Sequence, residues 1–210
     1  IAVECDAVPA PPVVTAKDNC DQNVEVTYNQ VRTDGNCPDS YTLTRTWVAI
    51  DNCGNATTHI QKVKVQDTTN PVFDQPLPQD ITVECDAVPA PPVVTAKDNC
   101  DQNVDVTYNQ VRTDGNCPDN YTLTRTWVAI DNCGNASTHT QKVKVQDTTK
   151  PVFDQPLPQD ITVECDAVPA PPVVTAKDNC DTNVDVTYNQ VRTDGNCPDS
   201  YTLTRTWVAI

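Results

Sequence analysis

Apolar and polar residues alternate along most of this chain. Residues 24–28 and 43–47 show the period of two that is typical of half-buried strands, with many Val and Thr. No segment shows the spacing of an amphipathic helix. Clusters of Asn, Asp and Gly, which tolerate tight turns, separate the alternating stretches. The pattern predicts a first strand formed by 71–73 with 81–84 and broken by Pro76 and Pro78, followed, in the numbering of the first copy, by strands at 12–17, 24–32, 41–50 and 57–66.

The sequence repeats itself with a period of 80 residues. Residues 1–80 match residues 81–160 at 74 of 80 positions, and residues 161–210 match residues 81–130 at 48 of 50. A repeat of this length is a small domain rather than one turn of a solenoid. We therefore expect three repeats: 1–69 without its first strand segment, 70–149 complete, and 150–210 truncated before its last strand. Because the third copy stops within the unit, we expect the 210 residues to be a window on a longer array.

Several short strands in 80 residues predict an all-β fold made of tandem immunoglobulin-like β-sandwich domains. A domain of this size buries little apolar surface, so disulfides are expected to stabilise it. The 11 cysteines of the chain indicate an oxidising compartment.

Each complete repeat carries four cysteines, which allow three connectivities. If successive strands alternate in direction, Cys5 and Cys37 lie at one end of the domain, the lower pole, and Cys20 and Cys53 lie at the other, the upper pole. We therefore expect Cys5 to pair with Cys37 and Cys20 with Cys53, and Cys180 to have no partner. The same rule gives the later pairs Cys85 with Cys117, Cys100 with Cys133, and Cys165 with Cys197.

Four stretches together resemble a known family. They are residues 147–153, 161–165 and 176–180, and residues 127–135 of the preceding copy. They are similar to the hyalin repeat (HYR) family of immunoglobulin-like modules, especially the versions in long bacterial surface proteins. The resemblance implies tandem extracellular or cell-surface modules that form adhesins or stalks, with no catalytic residues.

Composition narrows the choice of function. The formal charge of −15 disfavours nucleic acid and anionic membrane surfaces as partners. No apolar run is long enough for a membrane helix, so we expect no membrane insertion. His59 and His139 are the only histidines, and no zinc spacing, nucleophile elbow or phosphate loop is present. We therefore expect a protein that is not an enzyme and that requires no cofactor.

The acidic turns make Ca²⁺ a candidate ligand, because this ion prefers six to eight oxygen atoms. Turn residues of the second repeat gather at its upper pole, which faces the incoming linker. Ordinary turn capping is the alternative explanation for the same residues. The candidate ligands are Asp67, Asp74, Asp80, Asp98, Asp101, Asp131 and Asn132.

These observations favour a structural extracellular protein, a tandem-repeat fibre or adhesin stalk, whose partners are copies of itself along or beside a filament. The alternative is an adhesin module that binds a glycan or another cell-surface ligand. If Trp47 and Ala49 point into the core, their neighbours on the same strand face outward and can make lateral contacts. The candidate lateral residues are Val48, Ile50, Val128 and Ile130.

Overall fold

The computed structural model describes all residues 1–210, and its regular structure is β throughout, apart from two single turns of 3-10 helix at Cys5–Ala7 and Cys85–Ala87. No helix is long and apolar enough to span a membrane. In chain order the first seven strands are β1 (Ala2–Glu4), β2 (Glu25–Asp34), β3 (Tyr41–Ile50), β4 (Ala56–Gln66), β5 (Val72–Phe73), β6 (Ile81–Glu84) and β7 (Ala96–Lys97). The other seven are β8 (Asp105–Asp114), β9 (Tyr121–Ile130), β10 (Ala136–Gln146), β11 (Val152–Phe153), β12 (Ala176–Lys177), β13 (Val186–Asp194) and β14 (Tyr201–Ala209).

The first repeat forms a four-stranded sheet in the order β1-β4-β3-β2. Strands β2, β3 and β4 are antiparallel neighbours, whereas β1 runs parallel to β4. The near-identical second repeat forms the same sheet in the order β6-β10-β9-β8. The third repeat contains the hairpin β13-β14. Two short antiparallel sheets, β5-β7 and β11-β12, complete the architecture.

The chain divides into two compact units. The first contains Ile1–Gln79, Pro91–Gln110 and Arg125–Gln141, and the second contains Asp80–Ala90, Val111–Thr124 and Lys142–Ile210. The first unit holds the first repeat together with the upper pole of the second repeat, so the junction between these repeats lies within one unit.

The first unit has two apolar clusters, and both follow the alternation in the sequence. Leu43, Val63 and Val65 are buried on one face of the first sheet. Trp127 and Ala129 are buried on β9, and Phe73 of β5 packs against them. A short strand pair thus covers the upper part of the longer sheet, which forms the two layers of a small sandwich.

The second unit repeats the first of these clusters. Leu123, Val143 and Val145 are buried, and Val83 and Val88 pack against them. In the hairpin β13-β14, the ring centroids of Tyr188 and Trp207 lie 5.3 Å apart. The same Tyr–Trp contact occurs in the first repeat, at 5.2 Å between Tyr28 and Trp47.

Most predicted strands are present, with small shifts at their ends. The prediction 41–50 coincides with β3, while 24–32 and 57–66 correspond to 25–34 and 56–66. The stretch 71–73 belongs to a different sheet from 81–84. The predicted strand 12–17 is wrong for the first repeat, where this segment forms no strand.

Proline explains why so few residues of this segment pair with another strand, even in the second repeat. Pro11 and Pro12 have no N–H group to donate, and in the second repeat only Ala96 and Lys97 of the equivalent segment pair with β5. The equivalent residues of the first repeat, Ala16 and Lys17, have no strand beside them.

Candidate junction and metal site

The strand register defines the two poles of each repeat. Asp34 faces Tyr41, and Tyr41 faces Val65 near the end of β4, where β1 also ends. Cys5, Cys37 and Asp67 follow or connect these strand ends, so they share the lower pole. At the opposite ends of the same strands, the loop 51–55 and the segment before β2 form the upper pole, which carries Cys20 and Cys53. This arrangement agrees with the predicted pole assignment.

The disulfides join the lower pole of one repeat to the upper pole of the next. Cys5 is bonded to Cys100, with a Cα–Cα distance of 5.8 Å, and Cys37 is bonded to Cys133, at 5.1 Å. The first and second repeats are therefore linked covalently at two points in addition to the linker. In the second unit Cys85 is bonded to Cys180, at a sequence separation of 95 that equals the separation of Cys5 and Cys100.

The expected pairing within each repeat is therefore wrong for Cys5 with Cys37, Cys20 with Cys53, Cys85 with Cys117 and Cys165 with Cys197. Cys100 pairs with Cys5 rather than with Cys133, and Cys180 has a partner. The reason is that the lower pole of one repeat faces the upper pole of the next, and near-identical copies make both pairings compatible with the same pole assignment. The remaining thiols are exposed and unbonded: Cys20, Cys53, Cys117, Cys165 and Cys197.

The linker that follows β4 lies along the upper pole of the second repeat. Three side chains at alternate positions of β10 contact its carbonyl groups. Ser137 Oγ donates to Pro71 O at 2.6 Å, and Gln141 Nε2 donates to Gln79 O at 2.6 Å. Between them, His139 Nε2 lies 2.9 Å from Pro78 O. The side chains of β10 thus hold the linker over most of its length.

Phe73 is the apolar anchor of this linker. It is buried, and it packs against Trp127 and Ala129. Its backbone pairs with Ala96, and the following residue, Asp74, forms an ion pair with Lys97 at 2.8 Å. The linker is therefore a structural part of the second repeat as well as a connection to it.

Three carboxylates meet where the linker enters this pole. Oxygen atoms of Asp67, Asp98 and Asp131 all lie within 4.8 Å of one another. Asp67 comes from the end of the first repeat, and the other two come from turns of the second repeat. Asp67 and Asp131 are buried, with 7% and 6% of their surfaces exposed.

Turn hydrogen bonds hold two of these carboxylates in place. Asp98 Oδ1 accepts from the backbone N–H of Cys100 at 2.8 Å. Asp131 Oδ1 accepts from the backbone N–H groups of Cys133 and Asn135, at 2.8 and 2.9 Å. The positive φ of Gly134, 92°, completes this turn. The acidic turns therefore position the carboxylates and also bring Cys100 and Cys133 to their partners.

Two buried carboxylate oxygens in the cluster have no hydrogen-bond partner, Asp67 Oδ2 and Asp98 Oδ2. Burial raises the pKa of Asp67 above its ordinary value, and the charges of Asp98, Asp131 and Glu4 raise it further. Two buried carboxylate oxygens without hydrogen-bond donors, next to a third carboxylate, are suited to a cation. Ca²⁺ fits the chemistry of the site, because each of the three carboxylates can offer a hard oxygen atom.

The other predicted ligands lie outside the cluster. Asp74 is paired with Lys97, which lowers the pKa of Asp74. Asp80 accepts from the backbone N–H of Lys142 in the second unit, at 2.7 Å. Asp101 caps its own turn and accepts from the backbone N–H of Asn132, whose side chain donates to Asp39.

The outward residues of β3 and β9 differ in exposure. Ile50 and Ile130 each expose 40% of their surface, whereas Val48 and Val128 are half-buried. Trp47 and Trp127 are buried on the opposite face, as the alternation predicts. The role of these four residues in lateral contacts stays a prediction.

The sequence did not predict Ser137, His139 and Gln141 as linker-binding residues. The only sequence pattern that these residues share is that they occupy alternate positions of β10. Any residues on one face of a strand share this pattern, so it does not indicate a binding role.

Comparison with known proteins agrees with this description of a disulfide-stabilised all-β module. Residues 73–145 match the family described as HYR-like domain with 4 cysteines, and this stretch contains four cysteines. The resemblance to HYR repeats is thereby confirmed, and so is the predicted all-β, immunoglobulin-like, disulfide-stabilised fold class. No curated protein matches the sequence.

Solved cadherin structures are distantly similar to the chain. The Drosophila N-cadherin EC1-4 structure has 12% identity and a TM-score of 0.31, and the match covers 95% of this chain and 62% of that one. The human desmocollin-1 ectodomain has 12% identity and a TM-score of 0.28, with 96% and 51% covered. Human mucin-like protocadherin EC1-2 has 16% identity and a TM-score of 0.27, with 69% and 94% covered. The chain thus spans less than two thirds of the N-cadherin and desmocollin-1 structures that it matches.

Proposed function

We propose that this chain is a structural segment of an extracellular tandem-repeat fibre or adhesin stalk, without enzymatic activity. The observation that supports this proposal best is the pair of disulfides that crosses the junction between repeats, Cys5–Cys100 and Cys37–Cys133. A ligand-binding module needs one well-formed site, whereas a stalk needs each junction to resist rotation and tension. Two disulfides beside the linker give the junction this resistance, because they connect the two repeats at two further points. The repeat boundaries at 69 and 149 are part of this proposal.

Calcium is the second part of the proposal. The ion would be held by Asp67, Asp98 and Asp131, and it would neutralise charges that otherwise repel one another at the junction. Because Asp67 belongs to one repeat and the other two ligands to the next, a bound ion would hold the junction together in addition to the apolar contact of Phe73. Copies of the chain along or beside a filament are the proposed partners.

Stretching a single chain by its two ends tests the disulfide arrangement on which the stalk proposal rests. If the three disulfides are intact, the shortest covalent path between the ends is Ile1–Cys5, Cys100 back to Cys85, and Cys180–Ile210, about 50 residues. The fully extended oxidised chain should therefore reach about 180 Å, and the reduced chain about 730 Å.

The same measurement separates the two disulfide arrangements. Bridges within each repeat would leave a path of about 110 residues and an extension of about 400 Å. An extension of that length, or one that does not change on reduction, would contradict the disulfides between successive repeats.

A further inference from the structure

The main sheet of the first repeat is covered on only one side. Leu43 and Trp47 of β3 are buried on the inner face of the sheet. The positions between and beside them point to the other side, because successive side chains of a strand alternate. On that side Val31 of β2 and Ile60 of β4 expose 52% and 57% of their surfaces, so no second layer lies over them.

The strand register defines this uncovered side, which we call the outer face. Each outward residue of β3 lies between an outward residue of β2 and one of β4. The outer face thus consists of alternate positions from Glu25 to Thr33, from Thr42 to Ile50 and from Ala56 to Lys64, fifteen residues in all. Ten of these fifteen are Thr, Val or Ile, whose branched side chains form an even surface on a sheet.

The charges of the outer face lie away from its centre. Glu25 stands at the upper end of β2, and Lys62 and Lys64 stand near the lower end of β4. The two rows that cross the sheet at Thr46 and Val48 contain no charged residue. A centre without charge inside a polar rim is the distribution that protein–protein interfaces show.

The second repeat, which has a repeat on each side of it in the sequence, has the same uncovered face. Val111 and Ile130 expose 53% and 40% of their surfaces there, and Thr140, the counterpart of Ile60, is exposed. The linker lies on the inner side of this sheet, against Ser137 and Gln141. The bonds between successive repeats therefore leave the outer face free.

We propose that the outer face is the surface through which two copies of this chain pack side by side, sheet against sheet. The inference rests on the proposed function, in which copies of the chain lie beside one another, and it assigns the surface that they use. Val48, Ile50 and Ile60 of one copy bury their exposed atoms against the same face of the other.

The area of the face suits an array of repeats. Three strands about 4.8 Å apart and about ten residues long cover about 500 Å². One pair of repeats then buries about 1,000 Å² in total and two pairs bury about 2,000 Å², whereas stable interfaces bury about 1,200–2,000 Å². A single pair of repeats falls short of this range and two pairs reach it, so the contact strengthens with the number of repeats.

Charge favours this face for contact between like chains. The formal charge of the chain is −15, so contact through most of its surface brings acidic groups together. The outer face of each complete repeat instead carries two Lys residues and one acidic residue. Two outer faces therefore meet without the repulsion that acts between the rest of the two chains.

Sedimentation equilibrium of the 210-residue chain, from about 5 to 500 μM, tests the proposal. The five exposed thiols are first capped with iodoacetamide, so that no disulfide forms between chains. We expect reversible association that increases with concentration. The mass of a single chain at every concentration would overturn the proposal and would leave the face to a different partner or to none.

Matched variants locate the contact. Ile60→Lys combined with Thr140→Lys places a charge at the centre of the outer face in both complete repeats, at exposed positions where the fold tolerates it. Association should weaken at least about tenfold, because an apolar side chain is lost and like charges face each other. Thermal unfolding of the variant checks that its fold is retained.

Val13→Lys combined with Val93→Lys is the control. These residues are 95% and 94% exposed, lie outside the strands, and give the same change in charge. Association of the control should not weaken. The proposal is overturned if the outer-face variant associates as tightly as the original chain, or if the control weakens association equally.

Salt distinguishes packing of the sheets from charge pairing. Raising the salt concentration from about 0.02 to 0.5 M should strengthen association, because it screens the repulsion between two acidic chains. Loss of association at high salt would overturn the proposal. Chains that stretch as expected but stay monomeric would contradict the lateral contact alone, whereas chains that associate but carry disulfides within each repeat would contradict the stalk proposal alone.

Discussion

At the scale of single residues, Asp67 is the side chain on which the calcium proposal depends. It is buried, it has an oxygen without a donor, and two other carboxylates face it. Asp67→Asn should abolish most of the stabilisation by calcium. At a free calcium concentration about 100 times the dissociation constant, that stabilisation is about 2.7 kcal/mol in the unchanged protein. Thermal unfolding with calcium and with chelator measures it.

Asp74→Asn is the matched control for this variant. Asp74 lies on the same linker but is paired with Lys97 and Thr95, outside the carboxylate cluster. The Asp74→Asn variant should retain the full stabilisation by calcium. Equal loss of the response in both variants, or in neither, would contradict the assignment of the site.

The raised pKa of Asp67 predicts a particular dependence of stability on pH. Since the folded state holds the proton more tightly than the unfolded state, the stability contributed by Asp67 is fully present below pH 3.8. It is lost as the pH rises through the higher pKa of the folded state. In chelator, Asp67→Asn should therefore exceed the original protein in Tm, and the difference should grow as the pH rises from about 4 to 7. A constant or reversed difference would contradict the burial of an ionised Asp67.

The sequence predicted part of this site at the level of residues. Asp67, Asp98 and Asp131 come together as the pole argument expects. Asp74 and Asp80 do not, because one pairs with Lys97 and the other with a backbone N–H. These competing partners depend on the path of the linker, which local sequence patterns do not determine.

At the scale of elements, the two-residue strand β5 is more important than its length suggests. Phe73 is buried, whereas its counterpart Phe153 on β11 is half-buried. Phe73→Ala should lower the free energy of unfolding by about 3 kcal/mol, and Phe153→Ala should cost clearly less. Denaturant unfolding of the two variants provides the comparison. A similar cost for both would contradict the role of Phe73 as the anchor of the linker.

Alternation in the sequence predicted the long strands well but failed for the short ones. Strands β2, β3 and β4 contain stretches of alternating residues and no proline, so the predicted ends of these strands are close to the observed ends. The segment 12–17 contains β-branched residues but becomes a strand only where a linker lies beside it, as Ala96–Lys97 does. A ladder of that kind depends on tertiary contact rather than on local propensity.

At the scale of the whole molecule, the sequence predicted the poles but not the pairing of the cysteines. Strand direction alone places Cys5 and Cys37 at one end and Cys20 and Cys53 at the other. Whether a pole closes on itself or on the next repeat depends on which poles face each other, and 80-residue copies that are nearly identical contain no local signal for that choice. The structure shows that bonds run from repeat to repeat, at separations of 95 and 96 residues.

Peptide mapping of the trypsin-digested, non-reduced protein shows directly which cysteines are bonded. Although the repeats are nearly identical, Glu25, Asp105 and Thr182 distinguish the three peptides 18–32, 98–112 and 178–192, and Ile1 marks peptide 1–17. We expect peptide 1–17 to be linked to 98–112 and peptide 65–97 to be linked to 178–192. A link between 1–17 and 33–45, the peptide that contains Cys37, would contradict it.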